Sequence, residues 1–300
     1  MKPQIFYGIF AAALTPLRAN FSPDLEAISP FLSFLAQRGC HGALMLGTTG
    51  EGPSFSHEQR KDVFRAALEI RRDHPDFYLL AGTGTPSLDE TCTLTRSAFD
   101  MGMDGVVVLP PYYFRKASDD GLFAWYHQLL RQSVPADGAI FGYHIPGMSG
   151  VSLSIDLLAR LKDTFPDQFM GIKDSSGDSA FAAELGTRFG KDLLVFTGND
   201  SLFTLALHSK AAGCITAPAN LISPDLRRIW DTFHSGQPDL LVQEKVNSIR
   251  AILDRYPPAP PLLKALLVRY FGFPRWPVCP PLLPLPAETE DIVASQLNLA

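Results

Sequence analysis

The chain has 300 residues, of which 46% are hydrophobic and 11% are aromatic. This composition excludes a disordered chain and provides enough apolar side chains for a large buried core. The 26 basic and 31 acidic residues give a net charge of −5, so nucleic acid is not expected as a partner. The four cysteines are scattered, without a C-x-x-C pair or a metal-ligand spacing with histidine. They predict a reduced, cytoplasmic protein without structural disulfides or a metal site.

The first apolar run covers residues 5–14 and follows a single lysine, Lys2. A short apolar run before small residues is also typical of a signal peptide. We favour a buried first strand that ends at Thr15-Pro16, because one lysine is a weak positive flank and the rest of the chain is not rich in cysteine. No run reaches the ~18–20 apolar residues that span a bilayer, so a soluble protein without a membrane partner is expected.

Short apolar segments alternate with longer amphipathic segments through most of the chain. The short segments are apolar throughout, which is typical of parallel strands covered on both faces. Eight such units predict an α/β fold of the (β/α)8 TIM-barrel type, and periodicity alone leaves a doubly wound open sheet as the alternative. The predicted strands cover residues 8–15, 42–46, 78–82, 105–109, 139–143, 169–173, 193–197 and 213–216.

Capping residues predict where several helices begin and end. Ser56 and Ser87 each precede a glutamine or glutamate by three residues, as in a capping box. Further helix starts are predicted at Asp24, Ser154, Ser179 and Asp200. Helix ends in the left-handed conformation are predicted at the glycines that follow helical patterns, Gly39, Gly102 and Gly190.

The chain changes character beyond residue 235. Helices are predicted over residues 240–253, 262–270 and 288–297, with a proline-rich segment at 257–261. We therefore divide the chain into a catalytic barrel, residues 1–235, and a C-terminal helical extension packed on the barrel, residues 236–300.

Catalytic groups of a TIM barrel project from the C-terminal ends of its strands. The second strand ends in Gly47-Thr48-Thr49-Gly50-Glu51. Glycines let backbone N–H groups approach an anion, and threonine hydroxyls can hydrogen-bond a carboxylate. An ordinary turn is the alternative, whereas a P-loop is excluded because the segment has no lysine.

Lys173 closes the sixth apolar strand, directly before Asp174. Burial lowers the pKa of a lysine amine in general, which makes a neutral nucleophile available for attack on a carbonyl group. The alternative is a salt bridge with Asp174 or with another carboxylate at the barrel rim.

Tyr143 and His144 end the fifth strand. A tyrosine at this position either covers the core with its hydroxyl in water or transfers protons beside an amine. Neighbouring strand residues point to opposite faces, so we interpret His144 as a structural or pocket-lining residue. Tyr112 and Tyr113 follow the fourth strand, and at least one of them is expected to be a packing residue.

Three of these strand ends together resemble one known family. Gly47-Thr48-Thr49-Gly50-Glu51, Tyr143-x-x-Pro146 and Gly171-Ile172-Lys173-Asp174 occur in the order and at the separations of the dihydrodipicolinate synthase / N-acetylneuraminate lyase family of class I pyruvate-dependent aldolases. The resemblance covers essentially the whole chain. It implies a (β/α)8 barrel with a C-terminal helical region, a covalent lysine imine in place of a cofactor, and a homotetramer built as a dimer of dimers.

The resemblance also implies roles for individual residues. Lys173 would form the Schiff base with pyruvate, and Tyr143 would act as the general acid/base. Thr48 and Thr49 would bind the pyruvyl carboxylate, and Tyr113 would reach the site of a neighbouring subunit as part of a proton relay if the same dimer forms. The other predicted substrate-binding residues are Gly47, Met148, Gly198, Asp200 and Ile215.

The substrate loop departs from the synthases of this family. They carry an arginine two residues after the proline of Tyr-x-x-Pro, where this chain has Met148. A thioether cannot replace a cation that binds a carboxylate with two hydrogen bonds, and the segment 145–151 resembles the lyase branch instead. Ser201 and Ala217, however, replace the glutamate and serine of the sialate lyases.

The predicted activity is therefore the reversible cleavage of a 4-hydroxy-2-oxo acid, either a 2-keto-3-deoxy sugar acid or a sialic-acid-like compound, into pyruvate and an aldehyde. One alternative is 4-hydroxy-tetrahydrodipicolinate synthesis from pyruvate and aspartate semialdehyde, with Arg115 or Lys116 as the replacement cation. A second is dehydration of a deoxy-sugar acid through the same imine. A third, from a different class, is an inactive pyruvate-binding sensor, which the intact Lys173, Tyr143 and Thr49 disfavour.

Overall fold

Eight parallel strands close into a barrel in the computed structural model, which describes residues 6–297 and 299. The strands follow one another in chain order, and the last pairs with the first. This arrangement confirms the predicted (β/α)8 barrel and excludes the open sheet. Every predicted strand is present, and the first apolar run forms the first of them. The strands are β1 (Gly8–Ala12), β2 (Gly42–Met45), β3 (Tyr78–Gly82), β4 (Gly105–Val108), β5 (Ile140–His144), β6 (Phe169–Asp174), β7 (Leu194–Thr197) and β8 (Gly213–Thr216).

The helices surround the barrel and continue beyond it. No helix in the described residues combines the length and the apolar composition needed to cross a bilayer. Within residues 6–297, the α-helices are α1 (Leu25–Gln37), α2 (His57–Leu68), α3 (Leu88–Met101), α4 (Asp119–Ser133), α5 (Pro146–Ser149), α6 (Ile155–Thr164), α7 (Ser179–Phe189), α8 (Phe203–His208), α9 (Ala219–His234), α10 (Leu240–Leu253), α11 (Ala259–Phe271) and α12 (Ala287–Gln296).

Several helix ends form as the sequence predicts. The hydroxyls of Ser56, Ser87 and Ser154 accept backbone N–H groups in the first turns of α2, α3 and α6. Gln59 completes the capping box at Ser56. The glycines predicted at helix ends all have positive φ angles: Gly39, Gly102 and Gly190.

Two predicted helix caps were wrong, and a third residue lies at the predicted N-cap position without a capping hydrogen bond. Asp178, and not Ser179, caps α7, and Asn199, and not Asp200, caps the 3-10 turn that precedes α8. Asp24 precedes α1, but its side chain forms no capping hydrogen bond. In the first two cases an Asx side chain one residue earlier reaches the free N–H groups, which a sequence pattern alone cannot distinguish.

The interior of the barrel is filled by aromatic side chains. Phe10, Phe141 and Phe196 are fully buried. The ring centroids of Phe10 and Phe196 are 5.3 Å apart, and those of Phe141 and Phe196 are 5.7 Å apart, both edge to face. This geometry is favourable for aromatic pairs. The rings form a floor beneath the C-terminal mouth of the barrel, where the strand ends line a cavity.

A buried ion pair joins the C-terminal extension to the mouth of the barrel. Lys264 Nζ lies 2.6 Å from Glu51 Oε1, and the two side chains are 3% and 0% exposed. The other Glu51 oxygen accepts the backbone N–H of Cys279 at 2.7 Å. The turn after β2 is therefore tied to α11 and to the extended segment behind it. One apolar core includes residues of both the barrel and the extension. The division of the chain at residue 235 stays a prediction.

We expect Lys264→Met to lower the free energy of unfolding by about 3–5 kcal/mol, because it leaves the Glu51 carboxylate buried without its partner. Urea denaturation monitored by circular dichroism measures this loss. Lys61→Met is the matched control, since it breaks the more exposed pair with Glu58 and is expected to cost less than about 1 kcal/mol. Equal, small losses in both variants would contradict the importance of the buried pair.

Candidate active site

Lys173 and Tyr143 lie side by side at the C-terminal mouth of the barrel. The register of β5 and β6 pairs them directly, and they are 3% and 5% exposed. Lys173 Nζ lies 4.1 Å from the centroid of the Tyr143 ring. Lys173 takes part in no salt bridge among the described residues, and the carboxylate of Asp174 instead accepts the backbone N–H of Ser176 at 3.0 Å. The salt-bridge alternative for Lys173 is therefore wrong.

The surroundings of Tyr143 favour its ionised form. Burial raises the pKa of the phenol, but the charge of Lys173 and hydrogen bonding by Thr48 outweigh burial, so that the pKa lies below the ordinary tyrosine value. Thr48 Oγ1 lies 3.4 Å from Tyr143 Oη. A phenol with a lowered pKa gives up and regains a proton more readily near neutral pH. The pair can therefore combine a nucleophilic amine with a proton carrier.

Thr48 and Thr49 lie on the tight turn that follows β2. Leu46 has a φ of +56°, and the Gly52 N–H donates to the Gly47 carbonyl at 3.2 Å. Only glycine fits at position 52, because a Cβ atom there would lie 2.0 Å from the Leu46 carbonyl oxygen. The turn presents both threonines to the cavity. Their hydroxyls and backbone amides are suitable donors for a carboxylate.

The strand ends enclose a cavity of about 230 Å³, the inner cavity. Position 198 in the wall has no room for a side chain, because a Cβ atom there would lie 1.9 Å from Ser175 Oγ. The volume suits a small 2-oxo acid next to the amine. The predicted residues that the structure brings together on its wall are Lys173, Tyr143, Thr48, Thr49, Gly198 and Ile215.

Three other predicted residues lie outside the inner cavity. Gly47 lines a small space behind Thr48. Met148 is 64% exposed and lines a second, larger cavity. Tyr113 is 77% exposed and lines neither cavity. Its role in the site of a neighbouring subunit stays a prediction.

The direct substrate contact predicted for Asp200 is not what the structure shows. Its side chain is 0% exposed, and one oxygen accepts hydrogen bonds from Thr216 Oγ1 at 2.7 Å and from Arg250 Nη1 at 2.8 Å. Asp200 therefore lies behind the wall and holds Arg250, which lines the inner cavity. The sequence gives no sign of this pairing, because Arg250 lies 50 residues further along the chain on α10.

Eight described residues of the inner cavity were not predicted. The segment 175–177 follows Lys173-Asp174 directly, so the rule that catalytic groups lie at strand ends would have found it. The same rule would have predicted Asn199, which follows Gly198 after β7. It could not have predicted Arg250, because Arg250 lies on α10 of the extension. The missed residues are Ala12, Ile145, Ser175, Ser176, Gly177, Asn199, Ala217 and Arg250.

His144 has a structural role, as its position on the strand predicts. Its Nδ1 accepts the backbone N–H of Leu153 at 2.9 Å, and its ring stacks on Phe181 with centroids 4.7 Å apart. Burial lowers the pKa of His144, against the opposing charges of Asp174 and Asp178.

Neither His144 nor any other described residue belongs to a group of three or more histidine, cysteine or acidic side chains that could hold a metal ion.

Comparisons of the sequence with known proteins agree with this geometry. The model of the dihydrodipicolinate synthetase family matches residues 5–300. An uncharacterized DapA-like lyase of Chloroflexus aurantiacus is 36% identical over 288 residues, which cover 96% of this chain and 94% of the relative. The 4-hydroxy-tetrahydrodipicolinate synthase of Rhodospirillum centenum is 32% identical over 245 residues, which cover 82% of this chain and 80% of the relative.

Solved structures show the same architecture. The dihydrodipicolinate synthase DapA-2 of Bacillus anthracis is 25% identical, has a TM-score of 0.88 and matches 97% of each chain. The dihydrodipicolinate synthase of Agrobacterium tumefaciens is 26% identical, also has a TM-score of 0.88, and matches 97% of this chain and 98% of its own. Coverage of this extent includes the C-terminal helices as well as the barrel.

We expect Tyr143 to ionise at a lower pH than an ordinary tyrosine, because the charge of Lys173 stabilises the phenolate. The difference in tyrosinate absorbance between the wild type and Tyr143→Phe isolates this phenol during a pH titration. Lys173→Met is expected to move the transition to higher pH, since burial then acts without the neighbouring charge. A wild-type transition at or above the ordinary tyrosine pKa of about 10 would contradict the assignment.

Proposed function

The chain belongs to the dihydrodipicolinate synthetase family of class I pyruvate-dependent lyases and aldolases, and from this premise we propose that it reversibly joins pyruvate to an aldehyde through an imine on Lys173. The product of the condensation is a 4-hydroxy-2-oxo acid. One observation supports this proposal above the others: a buried lysine without a carboxylate partner among the described residues lies 4.1 Å from the ring of a buried tyrosine.

We assign the catalytic steps to residues of the inner cavity as follows. The Lys173 amine attacks the C2 carbonyl of pyruvate, and loss of water gives the imine. Transfer of a proton from C3 to the Tyr143 phenolate gives the enamine, which attacks the aldehyde carbon, and the Tyr143 phenol then returns the proton to the new alkoxide. Thr48 and Thr49 hold the pyruvyl carboxylate, so that C2 stays within reach of the amine. Hydrolysis of the imine releases the product and restores Lys173.

The imine itself supplies the electron sink. A protonated imine withdraws electrons from C3 and stabilises the carbanion as an enamine, which is the chemistry that a separate cofactor provides in other enzymes. The family carries out this reaction without a cofactor, and we propose the same for this chain.

A loop after β4 supports assembly into the predicted homotetramer. Tyr113 and Phe114 are 77% and 74% exposed, and their ring centroids are 5.3 Å apart. Exposed aromatic side chains of this kind are typical of interfaces between subunits. We propose that this loop meets a neighbouring subunit, where Tyr113 takes part in the proton relay.

The relatives named 4-hydroxy-tetrahydrodipicolinate synthase favour a second candidate, condensation with aspartate semialdehyde. That reaction needs a cation for the carboxylate of the acceptor. Met148 does not supply one, and Arg115 and Lys116 are exposed and line neither cavity. Cleavage of a sugar-derived or sialic-acid-like oxo acid and dehydration of a deoxy-sugar acid use the same imine, and analysis of the products distinguishes them.

We expect borohydride to reduce the imine in the presence of pyruvate and to attach a pyruvyl group irreversibly to Lys173, as peptide mass spectrometry would detect. Lys264 is the internal control, because it is equally buried but is paired with Glu51. Lys173→Met should give no adduct. An unmodified Lys173 after reduction with pyruvate would contradict the proposed mechanism.

Tyr143→Phe is expected to slow turnover by about 10² or more, because the variant has no group that protonates the alkoxide. Steady-state kinetics measures kcat, and binding of pyruvate is followed separately. Ser152→Ala, at an exposed position outside both cavities, is the control and should keep the wild-type rate. Near-normal turnover of Tyr143→Phe would remove Tyr143 from the mechanism.

A further inference from the structure

A second cavity of about 490 Å³ lies between the barrel mouth and the C-terminal extension, and we call it the outer chamber. It adjoins the inner cavity, because five residues line both. An aldehyde whose carbonyl carbon meets pyruvate on Lys173 can therefore extend the rest of its chain towards the outer chamber. The shared residues are Thr48, Thr49, Ile145, Ala217 and Arg250.

The walls of the outer chamber are mainly apolar. Fourteen of its twenty described lining residues are apolar, and six of these fourteen are prolines. A proline has no backbone N–H to donate. A hydroxylated chain that enters the chamber gives up hydrogen bonds to water and finds few replacements. Apolar side chains that line it include Met148, Leu253, Leu262 and Leu263.

The charged side chains of the outer chamber already have partners. Glu51 is paired with Lys264. Arg250 is paired with Asp200 and with Asp254, each at 2.8 Å. These five side chains carry a net charge of −1, so the carboxylate of an acidic aldehyde would be repelled. The charge of Arg250 is therefore already balanced by two carboxylates, which makes it a poor replacement for the missing cation at position 148.

We propose that the acceptor substrate is an uncharged aldehyde with an apolar chain, which the outer chamber holds while the aldehyde carbon meets the enamine on Lys173. This inference rests on the proposed function and narrows its substrate class. It favours an apolar acceptor over the sugar-derived aldehyde that the sequence suggested and over aspartate semialdehyde. Met148 acts in this scheme as part of the apolar wall.

A homologous series of acceptors tests the proposal on the wild-type protein. Condensation with pyruvate is measured for straight-chain aldehydes from propanal to hexanal, and for glyceraldehyde, N-acetylmannosamine and aspartate semialdehyde. We expect kcat/KM to rise about fourfold for each added methylene until the chamber is filled, as burial of a methylene predicts. Hexanal should exceed all three polar acceptors.

Two variants place charge in the outer chamber. Met148→Arg and Ala259→Asp should each lower kcat/KM for hexanal by about tenfold or more, because the chain then contacts a charged group. Both positions tolerate a charge, since Met148 is 64% exposed and position 259 begins α11, where an acidic residue is favourable. Leu241→Arg, at a position that is 77% exposed and outside both cavities, is the matched control and should keep the dependence on chain length.

Borohydride reduction with pyruvate alone distinguishes failure of the apolar-acceptor proposal from failure of the proposed function. An adduct on Lys173, together with kcat/KM values that do not rise with chain length or that favour a polar acceptor, would overturn the apolar acceptor and leave the imine mechanism intact. A missing adduct would overturn the proposed function and this inference with it. An adduct, a rising series and the loss of that rise in Met148→Arg but not in Leu241→Arg would support the proposal.

Discussion

The pairing of β5 with β6 is the constraint on which the site depends. It sets Lys173 against Tyr143, and Phe10, Phe141 and Phe196 pack edge to face in the interior of the barrel. The Lys173 amine then lies against the phenol of Tyr143 and not against a carboxylate. The amine stays available for a carbonyl group, and the phenol stays within range of its charge.

The extension completes the site that the barrel begins. The ion pair of Glu51 and Lys264 fixes the threonine turn against α11. Arg250 lines both cavities and is paired with the buried Asp200. The barrel therefore carries Lys173 and Tyr143, and the extension lines the outer chamber, in which we place the second substrate. Members of one family can keep the imine chemistry and change the acceptor by altering this second contribution.

Much of the fold could be predicted from the sequence, because strands buried on both faces form apolar runs that stand out from amphipathic helices. Lys173, Tyr143, Thr48 and Thr49 were also accessible, since each ends or follows such a run. Residues whose role depends on distant partners were not. Asp200 was expected to contact the substrate because Gly198-Asn199-Asp200 resembles a loop of the lyase branch, and only the fold shows that its carboxylate is paired with Arg250. The apolar wall of the outer chamber comes from prolines and leucines whose sequence gives no sign that they face a cavity.

A crystal structure of the protein grown with pyruvate tests the central claim most directly. Our account predicts continuous density from Lys173 Nζ to C2 of pyruvate, with the pyruvyl carboxylate on Thr48 and Thr49 and the Tyr143 hydroxyl beside the new bond. Pyruvate bound without a covalent link, attached to another lysine, or found away from the threonine turn would contradict it.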